Sequence, residues 1–497
     1  MERSDRRPHG AEAPLVEALW EYTRRRRAGF HVPGHKAGAA YANGDAPDWL
    51  SAVGVVDATE LPGLDDLHAP MGAIEAAQTL AAACFGADRT FFLVGGSTAG
   101  NLAAIQAAVA PGELVVMQRD VHKSAIHALM LRGAGAVFVA PRTDAATGLP
   151  GAVEAAAIAR ALDEHPEARA VFVTRPNYYG IAGELREIAD VAHARNVPLI
   201  VDEAHGAHFG RHPRFPASAL ACGADVVVQS THKMLPALTM GAMLHVRGNR
   251  LPADRIGAFL HMLQSSSPSY PILASLDWAR RELQARGSEL FDPALQAIDR
   301  WRAEGREGAF ARFETSVAED PLKLLLRDRE GTLSGYELLA QLAERGVYTE
   351  MANERYALLA CSAATSYEEL ERLRAALYEI ALRFPAKKKE NPQNFANSIA
   401  LGTNSVSKPV FFSAYGANAN AESEVTAVPL ERAEGEISAE MIVPYPPGIP
   451  ALYPGERVEG ETVAALLQLR AYGAAVQGAK DRELRTVLVR RRNPSSG

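Results

Sequence analysis

The sequence predicts an α/β protein built on a mostly parallel seven-stranded sheet, with smaller C-terminal α/β domains. Three observations carry this. From Thr90 short apolar runs recur at 90–94, 114–117, 136–140, 170–174, 198–202, 225–229 and 241–246. Several gaps between them carry helical patterns, such as Ala99 to Ala110 and Glu184 to Arg195. That alternation marks βαβ units whose helices cover both faces of a sheet. The runs are also rich in β-branched residues, Val226-Val227-Val228 above all, which suit buried strands. The last gap, 230–240, is short for a crossover helix and contains Pro236, so the seventh strand is expected to run antiparallel to its neighbours.

Before the sheet, residues 11–28 read as one amphipathic helix. It leads into Gly29-Phe30-His31-Val32-Pro33-Gly34-His35-Lys36, a loop by its glycines and proline. Residues 59–68 are acidic and irregular, and 72–85 give a helix. After Val246 a Ser/Pro-rich loop, Gln264 to Pro271, precedes a long charged helical stretch from about 273 to 313. Residues 322–385 read strand–helix–strand–helix. Residues 386–423 show little periodicity after Lys387 to Lys389, as a linker or surface excursion does. The expected organisation is therefore a helical arm 1–29, a large domain 30–272, a linking helix and small α/β domain 273–385, the excursion 386–423, and a C-terminal domain 424–497.

Composition narrows the function. The 497 residues suffice for several domains and a large core. A formal charge of −7, from 52 basic and 59 acidic residues, argues against a nucleic-acid or acidic-membrane partner. Arg24 to Arg27 form a local basic run that reads as a solvated helix face. Cys84, Cys222 and Cys361 are scattered, which fits buried thiols in a reducing cytoplasm rather than disulfides or a zinc site. Met1 to Gly10 lacks the apolar core of a signal peptide, and no apolar run is long enough to span a bilayer.

Four motifs fall at strand ends. Gly95-Gly96-Ser97-Thr98-Ala99-Gly100-Asn101 follows the first strand and opens a helix; its glycines, amides and hydroxyls suit a phosphate, or simply a tight capped turn. His122, in Asp120-Val121-His122-Lys123-Ser124, suits stacking on a flat heteroaromatic ring, or a structural role. Asp202, in Val201-Asp202-Glu203-Ala204-His205-Gly206-Ala207-His208, needs a cation or donors if buried; a pyridinium nitrogen, a metal shared with His205 and His208, or a helix cap all satisfy it. Ser230-Thr231-His232-Lys233 ends the sixth run, where a partly desolvated lysine can form a Schiff base with neighbours able to hold phosphate, or the lysine is simply solvated after a strand. Asp202 and Lys233 are 31 positions apart, close to the roughly 30 residues of one βαβ unit. Both should therefore reach the same sheet edge, where open α/β proteins bind ligands. A phosphate cradle, a stacking imidazole, a carboxylate for a ring nitrogen and an amine for an aldehyde are together what pyridoxal 5'-phosphate requires.

The chain resembles the ornithine/lysine/arginine decarboxylase family of fold-type-I pyridoxal-phosphate enzymes. The matching segments are Phe30 to Lys36, Gly95 to Thr98, His122 to Ser124, Asp202 to Gly206, Ser230 to Lys233, Ser265-Ser266-Ser267-Pro268-Ser269-Tyr270 and Pro444 to Pro450. They follow the family's order over about 30–456, and without room for a wing domain before Phe30 the chain resembles the short form. The resemblance implies that Lys233 holds the cofactor aldehyde, Asp202 the ring nitrogen and His122 the ring face, with Lys233, His122 and Asp202 catalytic. It implies that Ser97, Thr98, Ser230 and His232 hold the phosphate, that His205 lies in the cofactor site, and that Ser266 reaches a partner subunit's phosphate in a homodimer at least.

That likeness makes decarboxylation of a basic amino acid the expected reaction, with arginine ahead of lysine or ornithine and a place in polyamine biosynthesis. Asp65, Asp66 and Glu350 are candidate partners for the substrate's distal cation, or else solvated or capping carboxylates. Aminotransferase or aldolase chemistry and a non-catalytic cofactor-binding regulator are the alternatives. So is a serine hydrolase using Ser97, Asp202 and His232, whose chain order matches α/β-hydrolases; that reading leaves Lys233 without a role.

Overall fold

A computed structural model of the chain describes residues 12–25, 28–42, 45–144, 147–305, 312–317, 319–385, 405–412 and 424–491. All seven expected strands form, each within a residue or so of its predicted place: β1 Arg89–Leu93, β2 Leu114–Gln118, β3 Gly135–Val139, β4 Ala170–Thr174, β5 Leu199–Asp202, β6 Val226–Gln229 and β7 Ala242–Val246. The residues divide into two compact units. One takes the chain up to Ala107 with Pro198–Pro213 and Ala217–Leu290; the other takes Ala108–Val197, Arg214–Pro216 and the rest from Phe291.

In the first unit the strand order is β1-β7-β6-β5. β5 and β6 run parallel, whereas β7 is antiparallel to both β6 and β1, as the short, proline-containing connection requires. Every residue of β5, β6 and β7 is buried. The helix Gly96–Ala108 packs on this layer through Gly100, where a Cβ would come within 2.6 Å of Val228 Cγ1 and 2.8 Å of Leu93 Cδ1. The N-terminal helix is shorter than predicted, Pro14–Arg24, with Leu15 N donating to the buried Asp277 Oδ2 at 3.0 Å. The helical stretch expected over 273–313 is interrupted. Tyr270–Arg286 ends at Gly287, a single 3-10 turn follows, and Asp292–Glu304 restarts with a proline in its first turn.

In the second unit β4, β2 and β3 are parallel in that order. An eighth strand that the sequence did not announce, Val410–Phe411, pairs antiparallel with β3. Gly135 admits it, since a Cβ there would meet Phe411 Cδ1 at 2.7 Å. This strand falls within the expected excursion 386–423, of which 386–404 and 413–423 lie outside the described residues. Strands Phe313–Val317, Lys323–Asp328, Met351–Ala352 and Ala357–Ala360 form a separate antiparallel sheet, joined by helices Gly335–Ala343 and Tyr367–Arg383 that each begin with a serine–glutamate capping box. Glu424–Pro429, Ile437–Ser438 and Thr486–Arg491 make a third sheet over a core of Leu430, Ile442, Leu452, Leu466 and Val487.

Candidate active site

Parallel strands deliver their last residues to one edge, and β5 and β6 do so side by side. Asp202 closes β5 opposite Val228 of β6. Beyond Gln229 the single helical turn Thr231–Met234 carries Lys233, whose Nζ lies 3.0 Å from His205 Nε2. The imidazole nitrogen accepts from the ammonium. Asp202 is 2% exposed; its Oδ2 accepts from Asn101 Nδ2 at 2.8 Å and its Oδ1 from Ala204 N at 3.1 Å. Burial pushes its carboxyl above the usual range, against the pull of the Lys233 charge and these two donors.

Two of the candidate hydroxyl groups meet. Ser230 Oγ donates to Ser97 Oγ at 2.7 Å, which joins the turn after β6 to the turn after β1. Thr98 is exposed one position further on, and the buried Thr231 Oγ1 has no hydrogen-bond partner among the described residues. Gly96 adopts φ +71°, a left-handed turn that glycine makes without strain. His232 Nδ1 donates to the Gly241 carbonyl at 2.9 Å; burial lowers its pKa, with the Lys233 charge adding to the shift. That bond also dismantles the hydrolase reading, because His232 engages neither Ser97 nor Asp202.

His122 belongs to the second unit. It caps the helix Lys123–Arg132, its Nδ1 accepting from Ser124 N at 3.2 Å and lying 2.8 Å from Ser124 Oγ. The ring edge is covered by Gly448, whose φ is +97° and where a Cβ would meet His122 Cδ2 at 2.9 Å. Lys123 N donates to the Gly448 carbonyl at 2.9 Å. Arg119 fixes the same loop, with Nε and Nη2 on Glu456 at 2.9 and 2.8 Å and Nη1 on the Pro450 carbonyl at 3.0 Å.

The other candidates lie in different surroundings. Ser266 is exposed in the loop before helix Tyr270–Arg286. Asp65 caps the helix Ala73–Phe85: its oxygens accept from Asp66, Met71, Gly72, Ile74 and Glu75 amides at 2.8–3.3 Å. Burial raises its pKa, but those amides prevail and hold it low. Asp66 accepts from His68 N, and Glu350 is exposed. Asn101 was missed as a partner for Asp202. Its signal is present in the spacing, since it lies four positions after Ser97 and so on the same helix face.

Comparison with known proteins now decides the family. The Orn/Lys/Arg decarboxylase major-domain model matches residues 13–319 and the C-terminal-domain model of the same family matches 402–478. The chain belongs to the Orn/Lys/Arg decarboxylase family. An arginine decarboxylase of Bacillus subtilis (strain 168) is 33% identical, covering 96% of this chain and 98% of its own. The protein YaaO of the same organism is 40% identical over 94% and 96%. Among solved structures, the Francisella novicida lysine decarboxylase LdcF superposes with a TM-score of 0.78 at 20% identity, over 96% of this chain and 81% of that one, which shows a shared fold. This family member is a pyridoxal-phosphate-dependent amino-acid decarboxylase. Its residues fit the cofactor. A buried carboxylate held by two hydrogen-bond donors, an amine beside an imidazole acceptor, and hydroxyls with an unused donor beside a glycine turn are the matching chemistry. No helix among the described residues is long and apolar enough to cross a membrane.

Proposed function

We propose that the chain decarboxylates a basic amino acid, arginine before lysine or ornithine, to the corresponding amine and CO2. The observation that carries this is the meeting of Asp202, Lys233 and His205 at the ends of two adjacent parallel strands. The arginine preference is supported by full-length similarity to arginine decarboxylases at 31–34% identity. When bound, pyridoxal phosphate supplies an aldehyde for the substrate amine and a ring that takes up the electron pair left by CO2.

The chain's own residues set up that chemistry. Lys233 Nζ would hold the aldehyde position, with His205 Nε2 accepting its proton so that the amine is neutral and nucleophilic. Asp202, held by Asn101 and Ala204, would keep a proton on the ring nitrogen. Ser97, Thr98, Ser230 and His232 would hold the phosphate, and His122 the ring face. Lys233 would return a proton to the α-carbon.

A homodimer at least, with Ser266 reaching across, is supported by the exposure of Ser266 and of large apolar residues in the first unit, Phe30 at 95% and Met71 at 91%. A cytoplasmic place in polyamine biosynthesis is supported by Cys84, Cys222 and Cys361, which form no disulfide among the described residues, and by the amine product. Incubation with arginine, lysine and ornithine, with the amines identified, tests the reading. Agmatine and CO2 from arginine are expected; release of CO2 from none of the three sinks it.

A further inference from the structure

The second unit contains a cavity of about 150 Å³ to which the cofactor residues give no purpose. Its walls are aromatic and apolar, with Tyr179 and Tyr336 beside Pro447 and Ile449, and two carboxylates line it, Asp120 and Glu354. Asp120 is 6% exposed, and among the described residues the only side chain donating to it is Gln118, 2.7 Å from Nε2 to Oδ1. The Glu354 carboxylate accepts no hydrogen bond and forms no ion pair among those residues. Arg119, the basic side chain on the wall, is already neutralised by Glu456 and lies 4.3 Å over the Tyr453 ring. The cavity therefore sets two carboxyl groups beside aromatic side chains.

Such a lining is complementary to one kind of ligand. A buried carboxylate is costly without a cation, and burial pushes both carboxyls up. Tyrosine faces attract cations, and an alkyl stem suits the proline and isoleucine walls. The place matters too: Pro447 and Ile449 flank Gly448, which covers His122, and Asp120 precedes His122 by two residues. Capping already occupies Asp65.

We propose that this cavity binds the guanidinium or ammonium end of a short alkyl cation, with Asp120 and Glu354 as its carboxylate partners and Tyr179 and Tyr336 as its walls. The identity of the cation, the distal end of the substrate or a free product amine, rests on the reading of the chain as a basic amino-acid decarboxylase; the cavity's preference for a cation does not.

Calorimetry of the holoenzyme with butylguanidinium and with neutral butylurea tests it, in the wild type and in Asp120→Asn and Glu354→Gln. The wild type binds the cation at least about tenfold more tightly than the urea, and each substitution weakens cation binding at least about tenfold. Thermal melts check folding, and Glu354, half-buried, keeps the test open should Asp120→Asn unfold. Competition that raises KM at constant kcat assigns the cavity to the substrate's distal end; a lowered kcat at constant KM assigns it to a separately bound amine. Equal binding of butylguanidinium by the wild type and both variants, or of the urea and the cation, overturns the proposal. Carboxylate-dependent binding in an enzyme that decarboxylates none of the three amino acids leaves the cavity standing and removes the functional reading instead.

Discussion

Asp202 and Glu203 are consecutive buried carboxylates at the end of β5, and they face opposite sides of the layer. Asp202 pairs with Val228, on the side where Gly100 packs, and collects an amide from Asn101 and one backbone N–H. Glu203 turns the other way. Its Oε1 accepts from Ala219 N and its Oε2 from Gln229 Nε2, both at 2.8 Å. The chain of bonds continues: Gln229 Oε1 accepts from His245 Nε2 at 3.1 Å, and His245 Nδ1 accepts from Thr90 Oγ1 at 2.8 Å. One carboxylate ties β5, β6, β7 and β1 together; the other stands beside an amine with the hydrogen bonding a pyridinium would complete. Satisfaction of the buried polar groups separates scaffold from site more sharply than burial does, since both side chains are inaccessible.

The largest expected effect falls on the site side. Lys233→Ala lowers kcat by at least about a thousandfold and removes the absorbance of the protein-bound cofactor. Unchanged absorbance in that variant means that another amine holds the aldehyde. Asp202→Asn keeps the shape and loses the charge, so kcat falls about a hundredfold or more while the melting curve barely moves. Glu203→Gln should reverse the pattern. Its new amide opposes the Gln229 amide, which costs about 1–3 kcal/mol in stability with a smaller loss of kcat. Denaturant midpoints and kcat measured on both variants sharpen the contrast, and a stability loss in Asp202→Asn equal to that of Glu203→Gln breaks it.

Much of this was legible in the residues. The seven strands follow from apolar runs and helical gaps, and the antiparallel β7 from the shortness of 230–240. The juxtaposition of β5 and β6 ends follows from the spacing of Asp202 and Lys233. What stayed hidden depends on contacts remote in sequence. Nothing local in Gly448 says that its backbone closes on His122, and nothing local in Asp65 separates a helix cap from a substrate carboxylate. The eighth strand has two residues, too few for any periodicity. The break at Gly287 was readable, however, from the glycine and the proline at 293.

The smallest effect isolates the scaffold side of the layer. His245 is completely buried, and burial pushes its pKa down to about 3, with the Arg211 charge adding to the shift. The folded protein therefore keeps this imidazole neutral, as its acceptor role toward Thr90 requires. The unfolded chain takes up a proton near pH 6.5, so the contribution is complete above that pH and is lost as the pH falls towards 3. The loss is about 1.4 kcal/mol per pH unit below the ordinary histidine range. His245→Gln removes the titrating group while keeping a donor for Gln229. Unfolding followed at pH 7.5 and pH 5.5 should show the wild type losing about 1 kcal/mol more than the variant on acidification. An equal loss in both would mean that His245 is already doubly protonated in the folded layer, donating to Thr90 Oγ1 rather than accepting from it.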